Sequence, residues 1–177
     1  LGVPGEDTFS GRGVSYCAVC DGAFYRDKVV AVAGGGNTAL DDALYLSELC
    51  SKVYLIHRRS EFRGAGATLS RLREKENVEI LAPSVISAIL GEGKVSELAF
   101  SDGRKISCQG LFIAVGMKPQ TEVLNGLISL DEAGYVVAEE TGKTSVPGFF
   151  VAGDVRKKAL RQVITAAADG ANAAVSA

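Results

Sequence analysis

The chain has 177 residues, of which 47% are apolar and 23% charged, with a net charge of −2. That is enough chain for one ordinary domain or two small ones around a buried core. The near-balanced charge argues against a general nucleic-acid binder and against attraction to an anionic membrane surface, and no run approaches the ~18 consecutive apolar residues that suggest a membrane span.

Residues 1–10 contain Pro4, Gly5, Glu6 and Asp7, without the basic start and apolar run of a secretory signal. A reducing, cytoplasmic setting is therefore expected, where a close cysteine pair is more often catalytic or metal-binding than structural. After this turn-rich start, Val29-Val30-Ala31-Val32-Ala33 predicts a strand buried on both faces, ending at Gly34-Gly35-Gly36. Asn37 to Cys50 predicts a helix from the recurrence of Leu40, Ala43, Leu44 and Leu46, with Asp41 and Asp42 in its early turns facing water. Val53 to Ile56 is the next strand, completing a βαβ unit whose expected hand is right. Leu69 to Glu76 predicts a second helix and Val78 to Leu81 a third strand. Between Ser84 and Ser107, short apolar runs alternate with turn signals such as Gly91-Glu92-Gly93 and Asp102-Gly103, the pattern of an antiparallel meander. Leu111 to Gly116 returns to a buried strand. Lys118 to Ser145 is polar and turn-rich, Phe149 to Asp154 predicts a last strand ending in Gly153-Asp154, and Gln162 to Ala177 an alanine-rich helix.

Two motifs carry chemistry. Gly34-Gly35-Gly36-Asn37-Thr38-Ala39 fits G-x-G-x-x-A between a strand and a helix. There Gly34 permits the tight turn, Gly36 lets a pyrophosphate approach the backbone, and Ala39 allows close helix–strand packing. The N–H groups opening the helix, including those near Asn37 and Thr38, then face the phosphates. The second strand ends in His57-Arg58-Arg59, with Arg63 nearby, where an NAD site usually places a carboxylate. Guanidinium groups match a ribose phosphate, so NADPH is favoured over NADH. His57, the only histidine, either contacts the nucleotide or merely sits beside the adenine ribose. The second motif is Cys17-Ala18-Val19-Cys20-Asp21. Cys50 and Cys108 show no metal-ligand spacing and read as small buried residues, so no metal is expected and a cycling dithiol–disulfide fits better than structural zinc. Asp21 is placed to exchange protons with the thiols or to cap the following turn, and the two roles are compatible. The pair precedes a nicotinamide-type loop and is not expected to open a helix after the first strand of a small domain, so electrons should reach it from the nicotinamide by way of a flavin.

The stretches Gly11 to Gly22, Gly34 to Leu40, His57-Arg58-Arg59 with Phe62-Arg63, Ala152-Gly153-Asp154, and Arg161-Gln162-Val163 with Thr165-Ala166 stand in the order of the low-molecular-weight, bacterial-type thioredoxin reductases, which this sequence resembles. The resemblance implies an α/β fold: a Rossmann-like parallel sheet with an antiparallel meander binding NADPH over residues 1–113, and over 114–177 the C-terminal part of a second, FAD-binding Rossmann-like domain. It implies electron transfer from NADPH through FAD to the Cys17–Cys20 disulfide and on to thioredoxin or a thioredoxin-like partner, with a homodimer in the complete enzyme. Cys17 is then the attacking thiol, Cys20 the one against the flavin, and Asp21 the acid–base group. Gly153 and Asp154 bind the ribityl–phosphate portion, and Arg161, Gln162 and Val163 lie at the flavin. The family's opening flavin-binding segment has no counterpart here, so the chain reads as a fragment, able to bind NADPH more readily than FAD. An alternative is the flavoprotein disulfide reductase subunit of a peroxide-reducing system; that branch favours NADH, and Arg58-Arg59 counts against it. A third reading is a non-catalytic NADPH-binding module, which has no use for Cys17 and Cys20.

Overall fold

The structure is a computed structural model that describes residues 1–177. The chain forms two compact units, Leu1–Val115 and Gly116–Ala177. The first contains β1 (Val14–Ser15), α1 (Ala18–Asp21), a 3₁₀ turn over Gly22–Tyr25, β2 (Val29–Ala33), α2 (Asn37–Ser47), β3 (Lys52–Ile56), α3 (Gly66–Arg73), β4 (Val78–Leu81), β5 (Ile86–Leu90), β6 (Glu97–Phe100), β7 (Lys105–Ser107) and β8 (Gly110–Ile113). Five strands make a parallel sheet in the order β1-β8-β2-β3-β4, and β5-β6-β7 make a separate antiparallel sheet.

The side-chain alternation of a strand explains the layering. Val30 and Val32 of β2 and Phe112 of β8 face one way, joining Ala39, Leu40, Ala43 and Leu46 of α2 and Leu72 of α3. Ala31, Ala33, Leu111 and Ile113 face the other way, onto Ile86, Ile89, Leu98 and Phe100 of the meander. Both faces of the parallel sheet are covered, as its unbroken apolar strands require. The N-terminal segment is stitched to the meander through Ile89 N–H donating to the Pro4 carbonyl (2.9 Å) and Val95 N–H to that of Arg12 (3.0 Å).

Two helix ends differ from expectation. α2 stops at Ser47 rather than Cys50, because Asn77 donates from Nδ2 to the carbonyls of Ser47 (2.8 Å) and Cys50 (3.1 Å) and satisfies the end of the helix with a side chain from far along the sequence. α3 runs from Gly66 to Arg73, earlier than the predicted Leu69–Glu76, because its start is fastened by Ala65 N–H donating to Asn37 Oδ1 (2.8 Å).

The second unit has little regular structure. It holds a 3₁₀ turn over Glu122–Leu124, three isolated bridges (Leu130 with Val136, Val136 with Arg156, Lys143 with Phe150) and α4 (Val163–Ser176), around a small core of Ile128, Val136 and Val151. The strand predicted over Phe149–Asp154 does not form. Only Phe150 makes a bridge, the backbone turns at Gly153 with φ of +82°, and no second strand runs alongside to build a ladder. Gln162 and Thr165 close a capping box at the start of α4.

Candidate active site

The cysteine pair sits at the free edge of the parallel sheet. β1 is only two residues long, too short to signal itself in sequence, and it delivers the chain into Cys17. Contrary to expectation, the pair does follow a first strand and does open a helix: Cys17 is the N-cap of α1, and its Sγ accepts from Cys20 N–H at 3.2 Å. Cys17 and Cys20 are joined by a disulfide with their Cα atoms 5.2 Å apart. Ala18 is buried beneath the pair, while Cys20 is exposed and Cys17 half-buried, so an outside molecule can reach the sulfurs. Cys50 and Cys108 are buried in separate apolar clusters, with burial pushing their thiols up to about 11 and about 12. Neither supplies a thiolate near neutral pH.

Asp21 stands at the end of α1 and makes no cap for the 3₁₀ turn that follows, so the capping expectation fails. Its Oδ2 instead accepts from the Ser15 hydroxyl at 2.6 Å. The Tyr25 phenol is pushed up by burial and then by the charge of Asp21, and its ring meets Phe112 edge-on at 5.2 Å.

At the Gly-rich turn, Gly34 has φ of +155°, and a Cβ there would overlap the Ala114 carbonyl and crowd Ala39 Cβ. Gly36 caps α2 without a side chain and has open space where a Cβ would stand, so the first N–H groups of the helix, at Asn37 and the exposed Thr38, are approachable by an anion. Gly35 does a different job from the other two: a Cβ on it would strike the His57 ring. His57 is buried beneath this turn, 5.0 Å from the Phe62 ring, with Nε2 3.2 Å from the Glu61 carbonyl. Its pKa is lowered, first by burial and then by the charges of Arg59, Arg63 and Arg58, with the Glu61 carbonyl pulling the other way. The arginine-bearing segment is clamped to the turn by Arg63 N–H (2.7 Å) and Gly64 N–H (3.1 Å), both donating to the Gly35 carbonyl. Arg58, Arg59 and Arg63 are themselves exposed.

In the second unit, Asp169 is the hub. It accepts from Gly153 N–H (3.1 Å), from Arg156 Nε (3.1 Å) and Nη2 (2.7 Å), and from Lys158 Nζ (3.0 Å). The Arg156 hydrogen bonds, outweighing burial, hold its carboxyl well below the usual carboxylate range. The hub fixes the Gly153-Asp154 turn and leaves Asp154 exposed, with Lys158 at 3.7 Å. Arg161 lies over the Tyr135 ring at 3.9 Å and donates to the Asp154 carbonyl at 3.3 Å. Gln162 is held in the capping box, and Val163 is 88% exposed. Sequence reasoning missed Ser15, Asn37's tie to Ala65, Gly64 and Asp169. Only Asp169 left a signal, a lone acid in an alanine-rich helix.

A parallel nucleotide-type α/β sheet that carries an accessible disulfide on its edge defines a class: oxidoreductases coupling a dinucleotide to thiol–disulfide exchange. The chain matches the family model for pyridine nucleotide-disulphide oxidoreductases over residues 1–170 and belongs to that family. It is 44% identical over 182 residues to a thioredoxin reductase of Treponema pallidum, covering 100% of this chain and 59% of that protein. It is likewise 44% identical over 186 residues to one of Helicobacter pylori, covering 99% and 60%. The structure resembles thioredoxin reductase from Streptococcus pyogenes (TM-score 0.88, 42% identity, 98% of this chain and 58% of that one) and from Giardia duodenalis (TM-score 0.83, 38% identity, 99% and 60%). The chain thus spans about 59% of the length of such curated relatives. No helix of the structure is long and apolar enough to cross a membrane.

Proposed function

We propose that this chain is the nicotinamide and disulfide portion of a thioredoxin reductase. The complete protein would take electrons from NADPH through FAD to the Cys17–Cys20 disulfide and on to thioredoxin or a protein like it. The observation that carries this reading is the reachable Cys17–Cys20 bond in the same unit as the Gly34–Ala39 turn. NADPH fits the residues present: the open space at Gly36, the uncapped start of α2 and the exposed Arg58, Arg59 and Arg63 match a pyrophosphate and an extra ribose phosphate. FAD fits in part. The turn at Gly153-Asp154 and the start of α4, with Arg161 and Gln162 beside them, offer one end of a cradle, and the exposed Val163, Ile164 and Val175 suit a further apolar layer. A flavin supplies the conversion of a two-electron hydride donor into thiol reduction.

The chain's own residues then perform thiol–disulfide exchange. In the reduced state the Cys17 thiolate attacks a substrate disulfide. A Cys17–substrate bond forms, and the departing substrate sulfur keeps the electron pair of the broken bond. The Cys20 thiolate next attacks Cys17 Sγ, reforming the internal disulfide and releasing the second substrate sulfur. Two electrons leave the dithiol, and the two product thiolates take up two protons, one of which Asp21 is placed to give. Residues 1–113 are read as the NADPH domain and 114–177 as the returning part of the flavin domain. The exposed arginines favour this over an NADH-linked subunit of a peroxide-reducing system. In the complete enzyme, Cys17→Ser should reduce NADPH-dependent thioredoxin reduction to background while NADPH binding persists; unaltered turnover would remove Cys17 from the reaction.

A further inference from the structure

The Ser15 hydroxyl does more than satisfy a local bond. It accepts from Cys17 N–H at 3.1 Å, a contact two residues along the chain that serine commonly makes for itself. Its single hydrogen then has two acceptors in range: Asp21 Oδ2 at 2.6 Å and the Cys17 carbonyl at 3.4 Å. The shorter contact, to a carboxylate six residues away, takes the proton whenever Asp21 is ionised. When Asp21 is protonated, its own O–H can donate to Ser15 Oγ, and the serine hydrogen can turn to the Cys17 carbonyl. Ser15 is buried at the end of β1, pinned by parallel pairing with Phe112, so the oxygen at this junction stays fixed through both states.

We infer that Ser15 is a positioning residue that holds the Asp21 carboxyl at the disulfide in both of its protonation states, through an oxygen anchored on the Cys17 backbone. This rests on the proposed acid–base role of Asp21 in thiol–disulfide exchange. The consequences are specific. Without the hydroxyl, Asp21 loses its only hydrogen-bond donor from β1 and is free to turn toward the following 3₁₀ turn, whose N-cap position it occupies without capping it. Besides the two thiols of the reduced pair, the Tyr25 phenol faces Asp21, and burial and the charge of that carboxylate push it up.

The test uses the complete, flavin-loaded enzyme and four variants: Ser15→Ala, Ser15→Thr, Asp21→Asn and the Ser15→Ala/Asp21→Asn double variant. Thioredoxin reduction is followed with kcat and KM separated. Ser15→Ala should lower kcat about tenfold, a fraction of what general acid–base catalysis supplies, and leave KM for thioredoxin unchanged. Ser15→Thr, which keeps the hydroxyl, should restore most of the rate. In the Asp21→Asn background, Ser15→Ala should have no further effect. If Ser15→Ala lowers kcat by the same factor with and without the Asp21 carboxyl, the serine acts independently and the proposal falls. A full rate in Ser15→Ala beside an impaired Asp21→Asn overturns the role of Ser15 alone. A full rate in Asp21→Asn overturns the reading of Asp21 and the proposal with it. Hydrogen exchange provides a readout that does not depend on turnover: the Cys17 amide should lose protection in Ser15→Ala and keep it in Ser15→Thr, and unchanged protection in Ser15→Ala would contradict the anchored oxygen.

Discussion

The two units solve the problem of burial in opposite ways. Residues 1–115 bury apolar side chains on both faces of a parallel sheet and keep their charges on the rim: Arg58, Arg59 and Arg63 are exposed, and the ion pairs Lys52–Glu79 and Lys75–Glu48 lie near the surface. Residues 116–177 have a core of three buried apolar side chains and place a charge cluster inside, with Asp169, Arg156 and Lys158 exposing 7%, 12% and 8% of their side chains. Where regular ladders cannot satisfy the backbone, a carboxylate takes over: Asp169 accepts from Gly153 N–H, and Asp131 accepts from Ala133 N–H (3.0 Å) and Tyr135 N–H (2.9 Å). Removing a charge should therefore cost function in the first unit and folding in the second.

The largest expected effect is in the second unit. Asp169→Asn leaves Arg156 and Lys158 buried without their counter-charge, a change that costs about 3–5 kcal/mol in comparable buried pairs. Hydrogen exchange should show the loss in residues 116–177 and leave 1–115 protected. The same carboxyl makes the second unit acid-sensitive. Its folded pKa is depressed, so its contribution is full above the unfolded value of about 3.9 and is lost as pH falls toward the folded one. A variant as stable as wild type would show the cluster to be incidental.

The first unit supplies the counterpart. Arg58→Ala with Arg59→Ala should leave its stability unchanged within about 0.5 kcal/mol, as for surface positions. It should weaken NADPH by roughly 10- to 100-fold, the worth of one or two hydrogen bonds to a charged group, with NADH little affected. Titration of both nucleotides checks this. Equal losses would show that the arginines do not read the extra phosphate, and a destabilised unit would show that rim charges support the fold.

What the sequence disclosed follows the same division. In the first unit, local pattern and tertiary environment agree: β2 is apolar throughout because both its faces are covered, and the Gly-rich turn stands between that strand and α2 as its composition demands. The errors there come from side chains that arrive from elsewhere. Asn77 ends α2 early, Asn37 starts α3 early, and β1 exists only because β8 pairs with it. In the second unit the unbroken apolar run opening Phe149–Asp154 reads as a strand, yet a strand needs a neighbour, and Gly153 and the Asp169 hub bend the backbone away from one. The cysteine pair was legible as chemistry from its spacing. Its setting was not, since the Ser15–Asp21 contact depends on α1 folding the chain back toward β1.

A smaller effect is expected at the Gly-rich turn. Gly35→Ala places a methyl group against the His57 ring. Overpacking of this kind costs about 1–3 kcal/mol, and because Arg63 and Gly64 hang from the Gly35 carbonyl, nucleotide affinity should fall with stability. Gly66→Ala is the control. It meets nothing at the start of α3 and should be neutral or slightly stabilising. If Gly35→Ala behaves like Gly66→Ala in urea unfolding, the turn is looser than its contacts imply.

The smallest effect concerns the ring itself. His57 is the one ionisable side chain the first unit buries under its Gly-rich turn, and burial, aided by three guanidinium charges, lowers its pKa below the unfolded value of about 6.5. The unfolded chain then binds the proton more readily than the folded one, so stability falls as pH drops through that value toward the folded pKa and the contribution is constant below both. Urea unfolding of wild type and His57→Gln at about pH 7.5 and about pH 5 isolates the term: the glutamine variant should lose less on acidification, and added salt should narrow the gap by screening the exposed arginines. An identical pH response in the two proteins would mean that the ring is free to charge, in which case it cannot be the neutral wedge that holds Gly35 and, through it, the arginine segment in place.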